Sequence, residues 1–179
     1  MLRHLPNFIC LVRIALIWPT IDALYSGDYW TALILVAVCA ISDGVDGWLA
    51  KRFNWTSQLG KILDPVADKM LLVALFLTAT WINLLPWWLT AAVVARDVLI
   101  GSGALVYRFW FGPLQGRPTL LSKVNTGMQL AVALAAILGA ATRLQAGEMV
   151  TALAFVTLFT TIVSGADYVF VFTRRALAS

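Results

Sequence analysis

Residues 43–68 have the sequence DGVDGWLAKRFNWTSQLGKILDPVAD. Apolar runs long enough to enter a lipid bilayer flank this stretch, and it contains four aspartates: Asp43, Asp46, Asp64 and Asp68. A carboxylate at membrane depth is costly, so it normally faces a protein-lined cavity and indicates a functional site. Four such carboxylates repel one another unless cations lie between them. The stretch therefore predicts a buried metal site in a helical membrane protein.

The composition also indicates an integral membrane protein. Of the 179 residues, 61% are hydrophobic and 12% are charged, whereas a soluble domain is about half apolar and about a quarter charged. Turn-forming residues separate apolar stretches of about 20 residues, the length that a membrane-spanning helix requires. No linker-like segment interrupts the chain, so residues 1–179 are predicted to form one domain. We predict an all-α fold of six transmembrane helices, at roughly 8–26, 30–51, 60–84, 87–109, 124–143 and 149–173.

The basic residues predict the orientation of the helices. They concentrate at both termini and in the second and fourth loops, whereas the first, third and fifth loops carry only Arg143. Because cytoplasmic loops are enriched in Lys and Arg, both termini are predicted to be cytoplasmic. The net charge of +4 then reflects this asymmetry and attraction to anionic membrane lipids, and it gives no indication of nucleic-acid binding. We expect a multi-pass protein of the cytoplasmic (inner) membrane, with its site open to the cytoplasm.

The spacing of the aspartates places each pair on one helix face. Asp43 and Asp46 are three residues apart, and Asp64 and Asp68 are four apart, so each pair forms one stripe. The short loop between these helices predicts antiparallel neighbours whose stripes face each other. One histidine and two cysteines cannot form a zinc cage, and oxygen ligands favour Mg²⁺ or Mn²⁺. Two such ions can clamp a pyrophosphate during phosphoryl transfer.

The full spacing resembles the signature of the CDP-alcohol phosphatidyltransferases, D-x2-D-G-x2-A-R-x8-G-x3-D-x3-D, with Lys51 or the adjacent Arg52 in the role of the arginine. The resemblance implies a six-helix, usually dimeric membrane enzyme that transfers a phosphatidyl group from CDP-diacylglycerol and releases CMP. It implies that the four aspartates hold two ions, Mg²⁺ or Mn²⁺, and that Asp68 is also the base for the acceptor hydroxyl. The nucleotide-binding positions that it implies are Gly47, Ala50, Lys51 and Gly60.

The acceptor alcohol is predicted from other stretches. The segments around Arg96-Asp97 and Tyr107-Arg108, and the segment from Arg117 to Thr126, resemble cardiolipin synthases, whose acceptor is phosphatidylglycerol. Asn7, Arg13 and a Lys-x2-Thr motif are shared with phosphatidylglycerophosphate synthases, whose acceptor is glycerol 3-phosphate. We favour phosphatidylglycerol and keep glycerol 3-phosphate as the alternative. Charge-assisted contacts with a substrate phosphate are predicted for five basic residues: Arg13, Arg96, Arg108, Arg117 and Lys123.

A divalent-cation channel or a proton-coupled transporter is an alternative of another class, because buried carboxylates also build those proteins. Two observations oppose it. The acidic residues cluster toward the predicted cytoplasmic side and do not form a path across the bilayer. The fixed spacing from Ala50 through Gly60 to Asp68 has no use in a pore.

Overall fold

The structure, a computed structural model, describes the backbone of residues 5–53, 60–111, 120–143 and 146–177, and the side chains within 9–42, 66–106, 109–110, 120–143 and 146–170. These ranges contain six α-helices and no strand. The helices are α1 (Leu5–Tyr25), α2 (Tyr29–Phe53), α3 (Gly60–Trp81), α4 (Trp87–Phe111), α5 (Leu120–Thr142) and α6 (Gly147–Leu177). The predicted all-α fold with six helices is therefore confirmed.

Three of these helices contain segments long and apolar enough to cross a membrane within the described ranges: Trp87–Val106, Leu120–Thr142 and Gly147–Phe170. Most of each segment is not buried within the protein, and large apolar side chains such as Phe109, Trp110 and Phe159 point outward. Outward apolar side chains of this size fit contact with lipid. Six transmembrane spans and cytoplasmic termini stay predictions.

The chain divides into two compact units. The sequence did not predict this division, and the single domain stays a prediction. The first unit comprises Met1–Leu84 and Ala133–Gln145. Within it, α1 packs against both α2 and α3. Buried Ile17, Cys39 and Leu71 bring one residue from each of these helices into a common apolar cluster. As a result, α1 is the element that α2 and α3 share.

The second unit comprises Leu85–Val132 and Ala146–Ser179, and in it α4 packs against α6. Near the start of α4, Trp88 stacks on Phe155 of α6 with ring centroids 5.2 Å apart. Leu89 and Val93 continue the buried apolar face of α4. Further along α4, the buried face includes the charged side chain of Arg96.

A tight turn connects α1 to α2. Gly27 adopts a positive φ of 76°, a conformation that glycine accepts without steric cost. The Asp28 backbone N–H then donates to the Ala23 carbonyl at 2.9 Å, which closes the end of α1. The Asp28 carboxylate accepts a hydrogen bond from the backbone N–H of Thr31 at 3.2 Å. Asp28 is therefore the N-cap of α2. Hydrogen bonds from the Thr31 side chain and from the Thr31 backbone N–H lower the pKa of the Asp28 carboxyl group below the ordinary value of 3.8.

We expect Asp28→Ala to lower the melting temperature at neutral pH, because the first turn of α2 loses its cap. A carboxyl group with a lowered pKa stabilises the fold above its ordinary value of 3.8 and loses this effect as the pH falls through the lower, folded-state value. The difference between wild type and Asp28→Ala should therefore shrink on acidification. Thermal unfolding in detergent across a pH series measures this. Asp28→Asn, which caps without titrating, is the matched control; equal neutral-pH melting temperatures for wild type and Asp28→Ala would exclude the capping role.

Candidate active site

The four signature aspartates lie on two helices that pack on α1. Asp43 and Asp46 belong to α2, and Asp64 and Asp68 belong to α3. Because both segments are α-helical, each pair shares one helix face, as the spacing predicted. The side chains of the first three aspartates lie outside the described part of the structure. Carboxylate pairs in this helical register are suitable oxygen ligands for Mg²⁺ or Mn²⁺. The positions of the four aspartates on α2 and α3 therefore fit the two-ion site, and the site itself stays a prediction.

The predicted nucleotide-binding positions lie on the same two helices. Gly47, Ala50 and Lys51 follow Asp46 on α2, and Gly60 is the first residue of α3. Gly60 precedes Asp64 by four residues, so the two occupy one face of α3. The side chains of Ala50 and Lys51 are outside the described ranges, and the nucleotide-binding role of these positions stays a prediction.

Asp68 is held by an arginine from α1. The Nη1 group of Arg13 donates a hydrogen bond to the Asp68 Oδ1 atom. The Arg13 side chain is 1% exposed, whereas the Asp68 side chain is 41% exposed. The arginine is therefore buried beneath a carboxylate that still reaches the surface of this unit. A charge-assisted bond of this kind fixes the orientation of the carboxylate.

The ion pair gives Arg13 a contact that its sequence context did not predict. We had predicted contact with a substrate phosphate, and that role stays a prediction. In the structure, Arg13 holds the residue predicted to be the base. The sequence contains one signal of this pairing, because Arg13 lies near the predicted cytoplasmic start of the first helix (8–26) and the acidic residues are predicted to cluster toward the same side. The pairing itself depends on how α1 packs against α3.

Arg96 connects three helices in the second unit. Its side chain lies on α4 and is buried. One Nη2 group donates to Ser122 Oγ of α5 at 2.9 Å and to Ser164 Oγ of α6 at 2.6 Å. The Nη1 group donates to the adjacent Asp97 at 2.8 Å. The guanidinium carbon also lies 5.8 Å from the Tyr168 ring centroid, within the range of a cation–π contact.

These contacts link Arg96 to the start of α5, where another predicted phosphate-binding residue lies. Lys123 is exposed and directly follows Ser122, the hydroxyl partner of Arg96. The structure thus places the buried Arg96 guanidinium against Ser122 of α5, and the exposed Lys123 is the next residue of that helix. The Arg108 side chain and the whole of Arg117 lie outside the described residues. Phosphate binding by all five basic residues stays a prediction.

The sequence analysis missed a set of buried polar residues on the facing sides of α5 and α6. Asn125 and Gln129 of α5 are fully buried, and so are Thr157 and Ser164 of α6. Their spacing was a usable signal. Residues 122, 125 and 129 recur at helical intervals, and so do 157, 161 and 164, so each set marks one helix face.

Comparison with known proteins identifies a family. The family model described as CDP-alcohol phosphatidyltransferase matches residues 3–163. A probable CMP-forming cardiolipin synthase of Drosophila melanogaster is 37% identical over 144 residues, which are 71% of this chain and 44% of the relative. The human CMP-forming cardiolipin synthase is 31% identical over 151 residues, covering 74% and 50%. The chain thus spans about half the length of these relatives.

A bacterial relative matches over more of its length. The CDP-diacylglycerol–glycerol-3-phosphate 3-phosphatidyltransferase of Pectobacterium atrosepticum is 33% identical over 168 residues, which are 88% of each chain. The names of the two groups differ: one specifies cardiolipin synthesis with formation of CMP, and the other specifies transfer from CDP-diacylglycerol to glycerol 3-phosphate. Since the family model covers both helices of the aspartate signature and most of the rest, the chain belongs to the CDP-alcohol phosphatidyltransferase family.

Proposed function

We propose that this chain transfers the phosphatidyl group of CDP-diacylglycerol to a hydroxyl of phosphatidylglycerol, giving cardiolipin and CMP. The observation that carries the proposal is the aspartate signature of residues 43–68, which lies on two helices packed around α1. Family membership favours this activity over the divalent-cation channel or transporter. The proposed setting is phospholipid synthesis at the cytoplasmic (inner) membrane, by a homodimer surrounded by membrane lipids.

The transfer needs a proton acceptor and an oriented donor. In the proposed reaction, the acceptor hydroxyl oxygen forms a bond to the phosphatidyl phosphorus, the bond from that phosphorus to CMP breaks, and the hydroxyl proton passes to Asp68. The exposed fraction of Asp68 allows a substrate hydroxyl to reach its carboxylate, and Arg13 holds the other side of that carboxylate in place. Two Mg²⁺ or Mn²⁺ ions, held by the four aspartates, would supply charge neutralisation at the pyrophosphate.

The proposed acceptor site uses the basic residues of the second unit. Phosphatidylglycerol carries one phosphodiester charge and two acyl chains, so it needs few basic contacts and access from the lipid. Arg96 is buried among α4, α5 and α6, and Lys123 is exposed at the start of α5. A headgroup phosphate between Arg96 and the 117–123 segment would contact the buried arginine on one side and an exposed basic residue on the other.

Glycerol 3-phosphate is the second candidate acceptor. The Pectobacterium relative, whose name specifies that acceptor, matches this chain over 88% of both lengths. This full-length match is the observation that favours it. The resulting product would be phosphatidylglycerophosphate, made by the same transfer from CDP-diacylglycerol.

A product assay separates the two acceptors. Purified protein in liposomes is given CDP-diacylglycerol with labelled phosphatidylglycerol or labelled glycerol 3-phosphate, and lipids are resolved by thin-layer chromatography. We expect labelled cardiolipin and equimolar CMP. Phosphatidylglycerophosphate without cardiolipin would overturn the acceptor assignment, while absence of both products would overturn the proposed function.

Variants of the basic residues test the acceptor site. We expect Lys123→Ala and Arg117→Ala each to raise the KM for the acceptor by roughly 10- to 100-fold, the loss of one hydrogen bond to a charged group. The KM for CDP-diacylglycerol should stay unchanged. Arg143→Gln, which removes an exposed positive charge in another loop, is the matched control. An equal change in both KM values would argue that these residues act on the membrane surface charge in general.

A further inference from the structure

A column of buried polar side chains lies where α5 faces α6 in the second unit. We define the polar column as seven residues: Ser122, Asn125 and Gln129 of α5, and Thr157, Thr160, Thr161 and Ser164 of α6. Most of its members are fully buried. Because an α-helix rises about 1.5 Å per residue, the three α5 positions are about 4.5 Å and about 6 Å apart along the axis. The column therefore extends over two helical turns.

The column has a cation at one end. Arg96 donates to Ser122 and Ser164, one from each helix. One turn further along, the hydroxyl groups of Thr160 and Thr161 donate to Asn125 Oδ1 at 3.0 Å and 2.8 Å. These bonds fix the orientation of the Asn125 amide, so its nitrogen points away from both threonines.

Several polar atoms in and beside the column have unused hydrogen-bonding capacity. Asn125 Nδ2, Arg96 Nε and both amide atoms of Gln129 are buried and have no hydrogen-bond partner in the part of the chain that the structure describes. Gln129 and Asn125 are each 0% exposed. Leaving such groups unpaired costs about 1–3 kcal/mol each. A bilayer offers no water to reduce this cost.

The unpaired atoms have the chemistry of a binding site for an oxygen-rich ligand. They comprise donors from Arg96, Asn125 and Gln129, and one acceptor, the Gln129 Oε1 atom. A ligand that matches this set has a negative charge near Arg96 and neutral hydroxyl or ester oxygens along α5. A glycerol phosphate unit has this arrangement; extended, it is roughly as long as one helical turn, and the long side chains of Arg96 and Gln129 can reach toward its two ends.

We propose that the polar column binds the glycerol part of the acceptor and that Gln129 is a specificity-determining residue that contacts its non-reacting oxygens. This rests on the proposed function, since both candidate acceptors contain a glycerol phosphate unit. The ligand enters by displacing the Gln129 side chain from its packed position. No hydrogen bond within the described structure holds the amide of this side chain in place. Binding then supplies the hydrogen bonds that the folded protein lacks, and this offsets the cost of the buried amides.

Gln129→Leu is the sharpest test, because leucine nearly matches glutamine in size and removes only unpaired polar atoms. We expect the melting temperature of the ligand-free protein to be equal to or above that of wild type. The KM for the acceptor should rise about tenfold, as expected for the loss of one or two hydrogen bonds. The KM for CDP-diacylglycerol should not change. A purely structural glutamine would lower the melting temperature and leave the acceptor KM unchanged.

Binding without turnover gives a second measurement. Glycerol 3-phosphate, or phosphatidylglycerol in mixed micelles, should raise the melting temperature of the wild type by mass action, and Gln129→Leu should lose most of this shift. The two ligands are assayed separately, so the ligand that stabilises the wild type identifies the source of the glycerol phosphate. Thr151→Val, whose hydroxyl donates to the Gly147 carbonyl of its own helix at 2.7 Å, is the control on α6. If Gln129→Leu does not fold, Gln129→Met replaces it.

The outcomes separate this proposal from the proposed function. Transfer activity with an unchanged acceptor KM and an unchanged ligand-induced shift in Gln129→Leu would overturn the column as a binding site. Loss of acceptor binding with intact donor binding would support it. A wild-type protein that transfers no phosphatidyl group but is still stabilised by glycerol 3-phosphate would refute the proposed function and retain the site.

Discussion

Replacing Asp64 by Asn should almost abolish phosphatidyl transfer while the protein still folds and inserts. Asparagine keeps the size of the side chain but removes the negative charge that a divalent cation requires. Losing a residue that only supports a metal ligand costs about 10- to 100-fold in activity or metal affinity, so losing a ligand should cost more. Folding should be preserved, because an uncharged residue at membrane depth has a lower desolvation cost than a carboxylate.

The measurement is CMP release at saturating CDP-diacylglycerol across a series of Mg²⁺ and Mn²⁺ concentrations. Asp43→Asn and Asp46→Asn should behave like Asp64→Asn, and chelation should abolish wild-type activity. Asp22→Asn, which changes an exposed aspartate near the end of α1, is the matched control and should retain full activity. Near-normal turnover by Asp64→Asn would exclude the two-ion site.

The second large effect is expected at Arg13, a residue outside the aspartate signature. Arg13→Gln removes the positive charge beneath Asp68 and the charge-assisted hydrogen bond that orients its carboxylate. We expect kcat to fall by about 10- to 100-fold, the range found when a group that orients a functional carboxylate is lost. The stability loss should be smaller than the roughly 3–5 kcal/mol of a fully buried pair, because Asp68 is partly exposed to water.

Two companion variants test whether Arg13 acts through Asp68. Arg13→Lys keeps the charge but not the planar guanidinium, so it should recover part of the lost kcat. In the double variant with Asp68→Asn, Arg13→Gln should lower kcat little further, since both changes break the same Arg13–Asp68 interaction. A rise in the KM for CDP-diacylglycerol at constant kcat would instead indicate that Arg13 contacts the substrate phosphate.

The helices were predictable from the sequence because their signals are local. Apolar runs of membrane-spanning length and the breakers between them located all six, with ends shifted by a few residues; α6, for example, extends over Gly147–Leu177 where 149–173 was predicted. The register of Asp64 and Asp68 on α3 also followed from spacing alone. Such features depend on neighbouring residues and the geometry of one helix.

The partners of the arginines were not predictable in the same way. Arg13 and Asp68 are 55 residues apart in the chain, and Arg96 and Ser164 are 68 apart. Which residues meet over such separations depends on how the helices pack, and one sequence contains no direct signal of that packing. The sequence predicts that Arg96 contacts a substrate phosphate, but it does not predict the two serine partners of this side chain. The role of an uncharged residue such as Gln129 was not predicted, because it depends on which residues surround the side chain in the fold.

The pairing of Arg13 with Asp68 also bears on how the protein enters the membrane during synthesis. Each of α1 and α3 carries one charged residue of the pair, and a single charge at membrane depth is costly. During translation α1 emerges before α3, so its buried arginine cannot pair with Asp68 until α3 arrives. We therefore expect α1 and α3 to integrate stably only together. If the ribosome stalls before α3 is made, α1 should remain extractable from the bilayer.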